Sequence, residues 1–315
     1  MTAHAFQVQS ANFKMPLSRV SSPRDSTHSC KPPSHGPHTL NSMTSAAQLS
    51  EEQEARYSYL LQALDPDHSA PAPLDFIRLP DTTTFQRIMK AALPVFSAQM
   101  RAGKQQRSAV YTAGPPGAGK STILNAVLDL EDFRRIDPDH ARDVLLRELI
   151  AQDYLEPRPD APGGTLSPRE VSGIIQHQAT QLADNLRKQC IGRGENFVQE
   201  GTLGWSGIVD WTLRELRYDG VEYTALTIID VEAETATVNT RARGRWANDQ
   251  QMHDLGGRFI HPKQLENACR VHPNTGMTSS ETNARRLHEA ALQHNIEAEI
   301  KIFHNDQIRY EASFT

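Results

Sequence analysis

The stretch Gly114-Pro115-Pro116-Gly117-Ala118-Gly119-Lys120-Ser121 decides how this chain folds. It fits the pattern G-x-x-x-x-G-K-[ST], which is typical of the phosphate-binding loop, or P-loop, of proteins that use nucleoside triphosphates. Its glycines allow a tight turn that points backbone N–H groups at phosphate oxygens. Lys120 would reach the β- and γ-phosphates, and the Ser121 hydroxyl would hold Mg²⁺. We therefore predict that residues 114 to 122, ending at Thr122, contact a nucleotide.

The segments on either side of the P-loop support this interpretation. Residues 108–113 form a short run suited to a buried strand, and Ile123, Leu124, Val127 and Leu128 recur at helical spacing. A helix that starts at the loop adds the positive end of its dipole to the phosphate site. A Gly/Pro turn with a chance lysine is the weaker alternative.

Composition narrows the classes of protein to which the chain can belong. A formal net charge of −5 argues against a nucleic-acid binder that works by broad electrostatics. No apolar run approaches the roughly 18 residues that a membrane-spanning helix needs, and the N-terminus lacks the apolar core of a signal peptide. Cys30, Cys190 and Cys269 are far apart and show no metal-binding spacing. We predict reduced thiols, a cytoplasmic location and no membrane or nucleic-acid partner.

The first 46 residues are predicted to be a disordered tail. They are rich in Ser, Pro and His and lack periodic apolar positions, so they cannot build a packed core. Because nothing before Met43 has a structural pattern, translation from Met43 instead of Met1 is a hypothesis. Residues 47–315 are predicted to form one folded domain.

Alternating strands and helices predict an α/β fold with a largely parallel sheet flanked by helices. A capping box at Ser50 opens one N-terminal helix, and a second is expected near residues 84–100, with a kink at Pro94. Residues 156–168 are rich in Pro and Gly and are predicted to be a loop. Further strands are predicted at 133–137, 196–200 and 221–231, further helices at 139–152, 169–190, 206–217, 232–247, 262–270 and 280–294, and a terminal hairpin at 299–310.

Acidic residues follow the second and third predicted strands. Ligands of such sheets bind at the carboxyl ends of the strands, so Asp137, Asp139 and Glu200 should lie beside the P-loop. Carboxylates there could accept a proton from a hydroxyl, hold Mg²⁺ or bind substrate hydroxyls. An equally good reading of Asp137-Pro138-Asp139 is a common helix start, with Asp as N-cap and Pro at the first helical position. Glu200 could also simply end a strand.

Arginines are concentrated between residues 241 and 258. Arg241, Arg243 and Arg245 lie close together, and Arg258 follows a Gly-Gly pair. A run of charges is usually a solvated helix face. In phosphoryl transfer, however, arginines on mobile segments neutralise the charge on the γ-phosphoryl oxygens. Both interpretations stay open on spacing alone.

Taken together, these segments resemble the zeta toxins, P-loop kinases of bacterial toxin–antitoxin systems. The resemblance covers roughly residues 105–265, and its most specific part is the D-x-D…E-G-T order that follows the P-loop. The shared residues are those of the P-loop, Ile136 to Asp139 with Arg142, residues 194–203, and the pair Arg245 and Arg258. The resemblance implies that residues 47–315 form a kinase domain. This domain would use ATP or GTP with Mg²⁺ to phosphorylate a sugar hydroxyl of a UDP-sugar, typically UDP-N-acetylglucosamine.

The resemblance also implies roles for individual residues. Asp139 looks like the base that accepts the hydroxyl proton, and Arg245 and Arg258 look like a clamp on transition-state charge, with Arg243 as the alternative to Arg245. Lys120 and Ser121 look like the phosphate and Mg²⁺ contacts. The implied substrate contacts are Asp184, Glu200, Thr202 and, less strongly, Thr212. The implied partner is a separate antitoxin protein.

Two other functions stay open at this stage. One is a P-loop kinase for another acceptor, such as a nucleotide cofactor, an antibiotic or a polynucleotide end, although the acidic charge disfavours the last. The other is a nucleotide-binding module without catalysis, against which the intact Lys120, Asp139, Arg245 and Arg258 count. Fold analogy alone does not separate these functions.

Overall fold

The computed structural model describes residues 49–67, 79–155, 164–217 and 221–313. The predicted tail, the Met43 hypothesis and most of the predicted loop at 156–168 lie outside these ranges. The strands are β1 (Ser108–Ala113), β2 (Arg134–Ile136), β3 (Phe197–Gln199), β4 (Ala225–Glu232), β5 (Glu297–His304) and β6 (Gln307–Ser313). The helices are α1 (Glu51–Ala63), α2 (Thr82–Ala98), α3 (Lys120–Val127), α4 (Pro138–Ala151), α5 (Gln176–Arg193), α6 (Ile208–Leu216), α7 (Thr235–Met252), α8 (Pro262–Ala268) and α9 (Ser279–Gln293).

The six strands form one sheet in the order β2-β3-β1-β4-β5-β6. All neighbouring pairs are parallel except β5 and β6, which form the antiparallel hairpin predicted from the sequence. The α/β class and the largely parallel sheet are therefore confirmed. Since β1 lies between β3 and β4, the P-loop emerges near the middle of the sheet edge.

Both faces of the sheet are covered by helices. Tyr111 and Ile228 point into a core built with α2, α4, α5, α6 and α9. Their chain neighbours, Val110 and Ile229, point to the other face, into a core built with α3, α7 and α8. Successive side chains of a strand alternate between faces, so strands buried on both sides have continuous apolar runs. Among the helices of the described ranges, none is both long and apolar enough to cross a membrane.

The N-terminal helices begin close to where the sequence places them. Ser50 and Gln53 form the predicted capping box at the start of α1, each side chain accepting a hydrogen bond from the other residue's backbone N–H. Asp81 is the N-cap of α2, which continues through Pro94 to Ala98. These helices precede the sheet, as expected.

One predicted helix starts later than expected. Residues 169–171 form turns, Ser172–Ile175 is a 3₁₀ turn, and α5 begins at Gln176. The cause is tertiary: the buried carboxylate of Glu170 accepts hydrogen bonds from Trp246, Gln250 and the backbone N–H of Ser167. Such contacts hold the backbone out of the helix although the local pattern is helical.

Candidate active site

A cavity of about 520 Å³ lies at the carboxyl ends of β1, β2 and β3. It brings together residues from six separate parts of the chain, as the topology predicts for ligand sites of such sheets. Of the predicted site residues, those that line the cavity are Pro116, Gly117, Gly119, Lys120, Ser121, Thr122, Asp139, Asp184, Glu200, Thr202, Arg245 and Arg258. Gly114, Pro115 and Ala118 form the buried back of the P-loop.

The P-loop has a backbone that its glycines make possible. Gly114 and Gly119 have φ values of 108° and 103°, in the left-handed region that glycine tolerates best. A Cβ on Gly114 would lie 2.0 Å from the carbonyl oxygen of Val231, so no larger residue fits there. The loop leads directly into α3, whose N-terminus faces the cavity and favours an anion.

Lys120 bonds to its own loop in this structure. Its ammonium group donates to the carbonyl oxygens of Gly114, at 2.9 Å, and Pro115, at 2.8 Å. Burial lowers the pKa of Lys120 to about 8, although the carboxylates of Asp139 and Glu200 partly offset this. A bound phosphate would favour the charged form further, because an opposite charge within about 4–6 Å raises the pKa of an ammonium group.

Glu200 contacts the P-loop hydroxyl that is expected to bind a metal. The Ser121 hydroxyl donates to Glu200 Oε2 at 2.9 Å, and Arg135 donates to Glu200 Oε1. Only 6% of Glu200 is exposed. This contact arises because β3 is the neighbour of β1, which brings the residue after β3 beside the start of α3.

The two acids of the D-x-D element have different environments. Asp137 caps α4: its side chain accepts a hydrogen bond from the Asp139 backbone N–H at 2.8 Å, and Pro138 is the first helical residue. The helix-start interpretation therefore describes Asp137 correctly. Burial, together with the neighbouring carboxylates of Asp139 and Glu200, raises the pKa of Asp137 to about 7.

Asp139 faces the cavity and is paired with arginines. Its Oδ1 lies 3.2 Å from Arg142 Nη2, and its Oδ2 accepts a hydrogen bond from Arg258 Nη1. Burial would raise the pKa of Asp139, but the positive charges of Arg258 and Arg142 outweigh this and hold the pKa below its usual value. Asp139 is therefore an ionised carboxylate, which can accept a hydrogen bond from a hydroxyl.

The three arginines of α7 point in different directions. Arg245 lines the cavity with Arg258. Arg241 donates to the carbonyl oxygen of Ala118 at 2.8 Å and to Asp306 at 2.8 Å. Arg243 donates to Glu54 of α1, because residues two apart on a helix lie on nearly opposite faces. Of the two candidates for the clamp, the geometry thus favours Arg245 over Arg243.

The far end of the cavity has aromatic and charged walls. Arg187 is buried, lies 4.0 Å above the Trp211 ring and pairs with Asp184 at 3.0 Å. Trp205 is 61% exposed at the cavity wall. A Cβ on Gly207 would lie 2.5 Å from this indole, so the glycine leaves room for the ring.

The structure departs from the prediction at Thr212. This residue is fully buried and does not line the cavity. On α6, Ile208 and Trp211 face the cavity, whereas Val209 and Thr212 point into the protein interior. A direct contact between Thr212 and a substrate is therefore not supported by this geometry.

Sequence reasoning missed several residues of the cavity wall. Arg187 follows Asp184 by three positions, a helical spacing at which opposite charges meet, and this could have been noticed. Trp205 and Trp211 follow the E-G-T element, but nothing local shows that they turn toward the P-loop. The roles predicted from the sequence for the other site residues stay predictions.

Several solved structures are similar to this chain. Among solved structures, the PezAT chromosomal toxin–antitoxin system of the human pathogen Streptococcus pneumoniae is similar at 18% identity, covering 75% of this chain and 82% of that chain, with a TM-score of 0.48. The AvrRxo1-ORF1:AvrRxo1-ORF2 complex with ATP is similar at 13% identity over 73% and 64%, with a TM-score of 0.41. A putative kinase from Chloroflexus aurantiacus is similar at 14% identity over 60% and 99%, with a TM-score of 0.38. No curated protein sequence matches the chain.

The chain also matches a protein family. The sequence pattern of the family described as "Zeta toxin" matches residues 96–306 of the 315. This range includes the P-loop, the D-x-D element, Glu200 and both cavity arginines. Because the match spans more than half of the chain, the protein belongs to the zeta toxin family of P-loop kinases.

Proposed function

We propose that this protein transfers the γ-phosphoryl group of ATP or GTP to a sugar hydroxyl of a UDP-sugar, with UDP-N-acetylglucosamine as the first candidate. The observation on which the proposal rests is that the ionised Asp139 shares one cavity with Lys120, Arg245 and Arg258. A base, a phosphate-binding lysine and two arginines are the parts that phosphoryl transfer requires. Family membership supports the acceptor class.

The P-loop end of the cavity would bind the nucleotide. Lys120 would exchange its two carbonyl contacts for phosphate oxygens, and the N-terminus of α3 would add its dipole. Mg²⁺ fits the Ser121 hydroxyl and the adjacent Glu200 carboxylate, which are oxygen ligands of the kind this ion prefers. When bound, Mg²⁺ would neutralise charge on the β- and γ-phosphates. In this proposal Glu200 lies at the metal end, and its predicted contact with the sugar is the alternative.

Asp139 would act on the acceptor hydroxyl. The hydroxyl oxygen forms a bond to the γ-phosphorus, the bond from that phosphorus to the β–γ bridging oxygen breaks, and the hydroxyl proton passes to Asp139. A loose transition state demands little early proton abstraction, so a carboxylate of low pKa serves mainly by orienting the hydroxyl. Arg245 and Arg258 would stabilise the charge on the transferred group.

The far end of the cavity would hold the acceptor. Trp205 and Trp211 offer flat apolar ring faces, and Asp184 and Thr202 offer oxygens for hydroxyl groups. A nucleotide sugar combines a flat base with a polyhydroxy ring, and aromatic side chains pair with flat rings. The same walls would suit a nucleotide cofactor, which is therefore the second candidate acceptor.

A separate antitoxin is the partner that we propose. The similar PezAT structure is named as a toxin–antitoxin system, and zeta toxin is the family of this chain. The cytoplasmic location stays a prediction.

The test is phosphate transfer from labelled ATP with Mg²⁺ to UDP-N-acetylglucosamine, other nucleotide sugars, NAD and short oligonucleotides. Asp139→Asn, which removes the charge and keeps the shape, is the matched control. Transfer to a UDP-sugar that falls at least about 100-fold in this variant, with ATP still bound, is the expected result. Transfer to NAD alone would select the second candidate, and transfer to no acceptor would refute the proposal.

A further inference from the structure

Helix α1 packs against both segments that bear the cavity arginines. The Tyr57 ring centroid lies 5.2 Å from that of Trp246 and 5.5 Å from that of Phe259. Trp246 directly follows Arg245, and Phe259 directly follows Arg258. One side chain of α1 therefore contacts the chain neighbours of both arginines.

A buried ion pair between Arg56 and Glu170 also holds the segment around Trp246 in place. Arg56 of α1 donates to the two carboxylate oxygens of Glu170, at 2.7 Å from Nε and 2.6 Å from Nη2. Glu170 Oε1 also accepts the indole N–H of Trp246 at 3.1 Å. The arrangement sets the position of the Trp246 ring, because an indole held by a hydrogen bond on one edge and a ring contact elsewhere cannot turn freely.

The segment around Arg258 depends on Trp246 for its position. A Cβ on Gly257 would lie 2.1 Å from the carbonyl oxygen of Trp246, so the two backbones are in close contact. After Arg258, the His261 ring nitrogen Nε2 lies 3.2 Å from the carbonyl oxygen of Leu61, at the end of α1. Displacement of α1 would therefore release both sides of this segment.

We propose that α1 positions Arg245 and Arg258 for phosphoryl transfer and that Tyr57 is the positioning residue through which it acts. This inference rests on the proposed function insofar as it takes the two arginines to be the transition-state clamp. The helix, at residues 51–63, lies outside the 96–306 range that matches the family. It is therefore a feature of this chain that the family pattern does not include.

The geometry explains why contacts from α1 would affect the rate of phosphoryl transfer. A clamp must be held to within about 0.5 Å, and a misplacement of 1 Å can cost about 10²-fold in rate. Tyr57 and Leu60 belong to a small apolar cluster with Trp246 and Phe259 that is separate from the two cores on the sheet faces. Loss of the Tyr57 ring should therefore alter the arginine segments and leave the P-loop in place.

The test compares Tyr57→Ala with Tyr59→Ala. Tyr59 is a matched control because it is the same residue type on the same helix and is also partly buried, yet it forms no ring pair with Trp246 or Phe259 among the described residues. Tyr57→Ala should lower kcat for transfer at least about tenfold, with the Kd of ATP changed less than twofold. Tyr57→Phe, which keeps the ring, should restore kcat.

A second measurement needs no acceptor. ADP with aluminium fluoride and Mg²⁺ mimics the charged transition state, and the tightening of ADP binding by aluminium fluoride reports on the clamp. We expect Arg258→Ala and Tyr57→Ala each to lose most of this tightening. The free-energy loss in the double variant should be smaller than the sum of the two single losses, because residues that act through one another are not additive.

Three results would overturn the inference. The first is equal effects of Tyr57→Ala and Tyr59→Ala, and the second is full aluminium fluoride tightening in Tyr57→Ala. The third is a loss in the Tyr57→Ala/Arg258→Ala variant that equals the sum of the two single losses. If Tyr57→Ala does not fold, Tyr57→Leu replaces it, since leucine keeps apolar volume without the ring. If the wild type transfers phosphate to no acceptor, the proposed function fails, and the aluminium fluoride measurement still decides the role of α1.

Discussion

Asp137 and Asp81 each cap a helix, and their pKa values are shifted in opposite directions. Asp137 caps α4 beside the cavity, where burial raises its pKa to about 7. Asp81 caps α2 at the surface, where hydrogen bonds from Thr84 lower its pKa. Asparagine is as good an N-cap as aspartate, so Asp137→Asn and Asp81→Asn remove the charge and keep the cap. The two substitutions form a matched pair.

The sign of the effect follows from linkage between protonation and folding. The folded state holds the Asp137 proton more tightly than the unfolded state does, so this group stabilises the fold below pH 4, and that contribution is lost as the pH rises to 7. Asp137→Asn should therefore match the wild type near pH 4 and be more stable above pH 7. Asp81→Asn should show no such gain, since the ionised Asp81 is the form that its contacts favour.

The size of the stability gain in Asp137→Asn follows from the pKa shift of Asp137. Three pKa units correspond to about 4 kcal/mol, at about 1.4 kcal/mol per unit. The positive end of the α4 dipole and the partial exposure of the site stabilise the ionised form and reduce this limit. We expect Asp137→Asn to raise the free energy of unfolding by about 1–2 kcal/mol at pH 8.5.

The assay is urea unfolding of wild type, Asp137→Asn and Asp81→Asn at pH 4.5, 6, 7 and 8.5, with equal m-values as the check on a common unfolding reaction. The difference in free energy of unfolding between Asp137→Asn and wild type should grow from pH 4.5 to pH 7 and then stay constant. A gap that is the same at every pH, or that also appears for Asp81→Asn, would refute the argument from burial.

Three further predictions concern the cavity itself. Lys120→Ala should abolish measurable ATP binding by calorimetry, because it removes the positive charge that faces the β- and γ-phosphates; binding within threefold of wild type would contradict the P-loop assignment. Glu200→Gln should weaken Mn²⁺ binding in the presence of ADP, followed by electron paramagnetic resonance, at least about tenfold, and change the Kd of UDP-N-acetylglucosamine little; the reverse pattern would make Glu200 a sugar contact. Arg258→Ala should lower kcat with little change in KM, since its charge is needed in the transition state; equal changes in both would make it a binding residue.

The parts of the fold that were predictable are those that local patterns determine. The P-loop, its flanking strand and helix, and the terminal hairpin follow from residue spacing alone. The convergence of Asp139 and Glu200 on the P-loop was also predictable, because parallel strands place their carboxyl ends on one edge. The capping role of Asp137 could be stated from the sequence, but only as one of two alternatives.

The parts that were not predictable depend on contacts between distant segments. Nothing near Glu170 shows that its carboxylate is buried against Trp246, and this contact moves the start of α5 to Gln176. Thr212 was predicted as a weaker substrate contact, but α6 is oriented so that Thr212 lies in the protein interior. The choice between Arg243 and Arg245 likewise required the position of Glu54, almost 190 residues earlier.

The ion pair between Asp139 and Arg258 bears on how the protein would limit ATP hydrolysis by water. Any kinase with an open cavity risks passing its phosphate to water, which is far more abundant than the acceptor. Here the carboxylate that would orient an incoming oxygen is already occupied by the guanidinium of Arg258. A single water molecule offers little to displace that pairing, whereas a sugar held at Asp184 and Thr202 brings binding energy from a distance. The pairing of Asp139 with Arg258 would thus suppress transfer of phosphate from ATP to water until the bound acceptor displaces it.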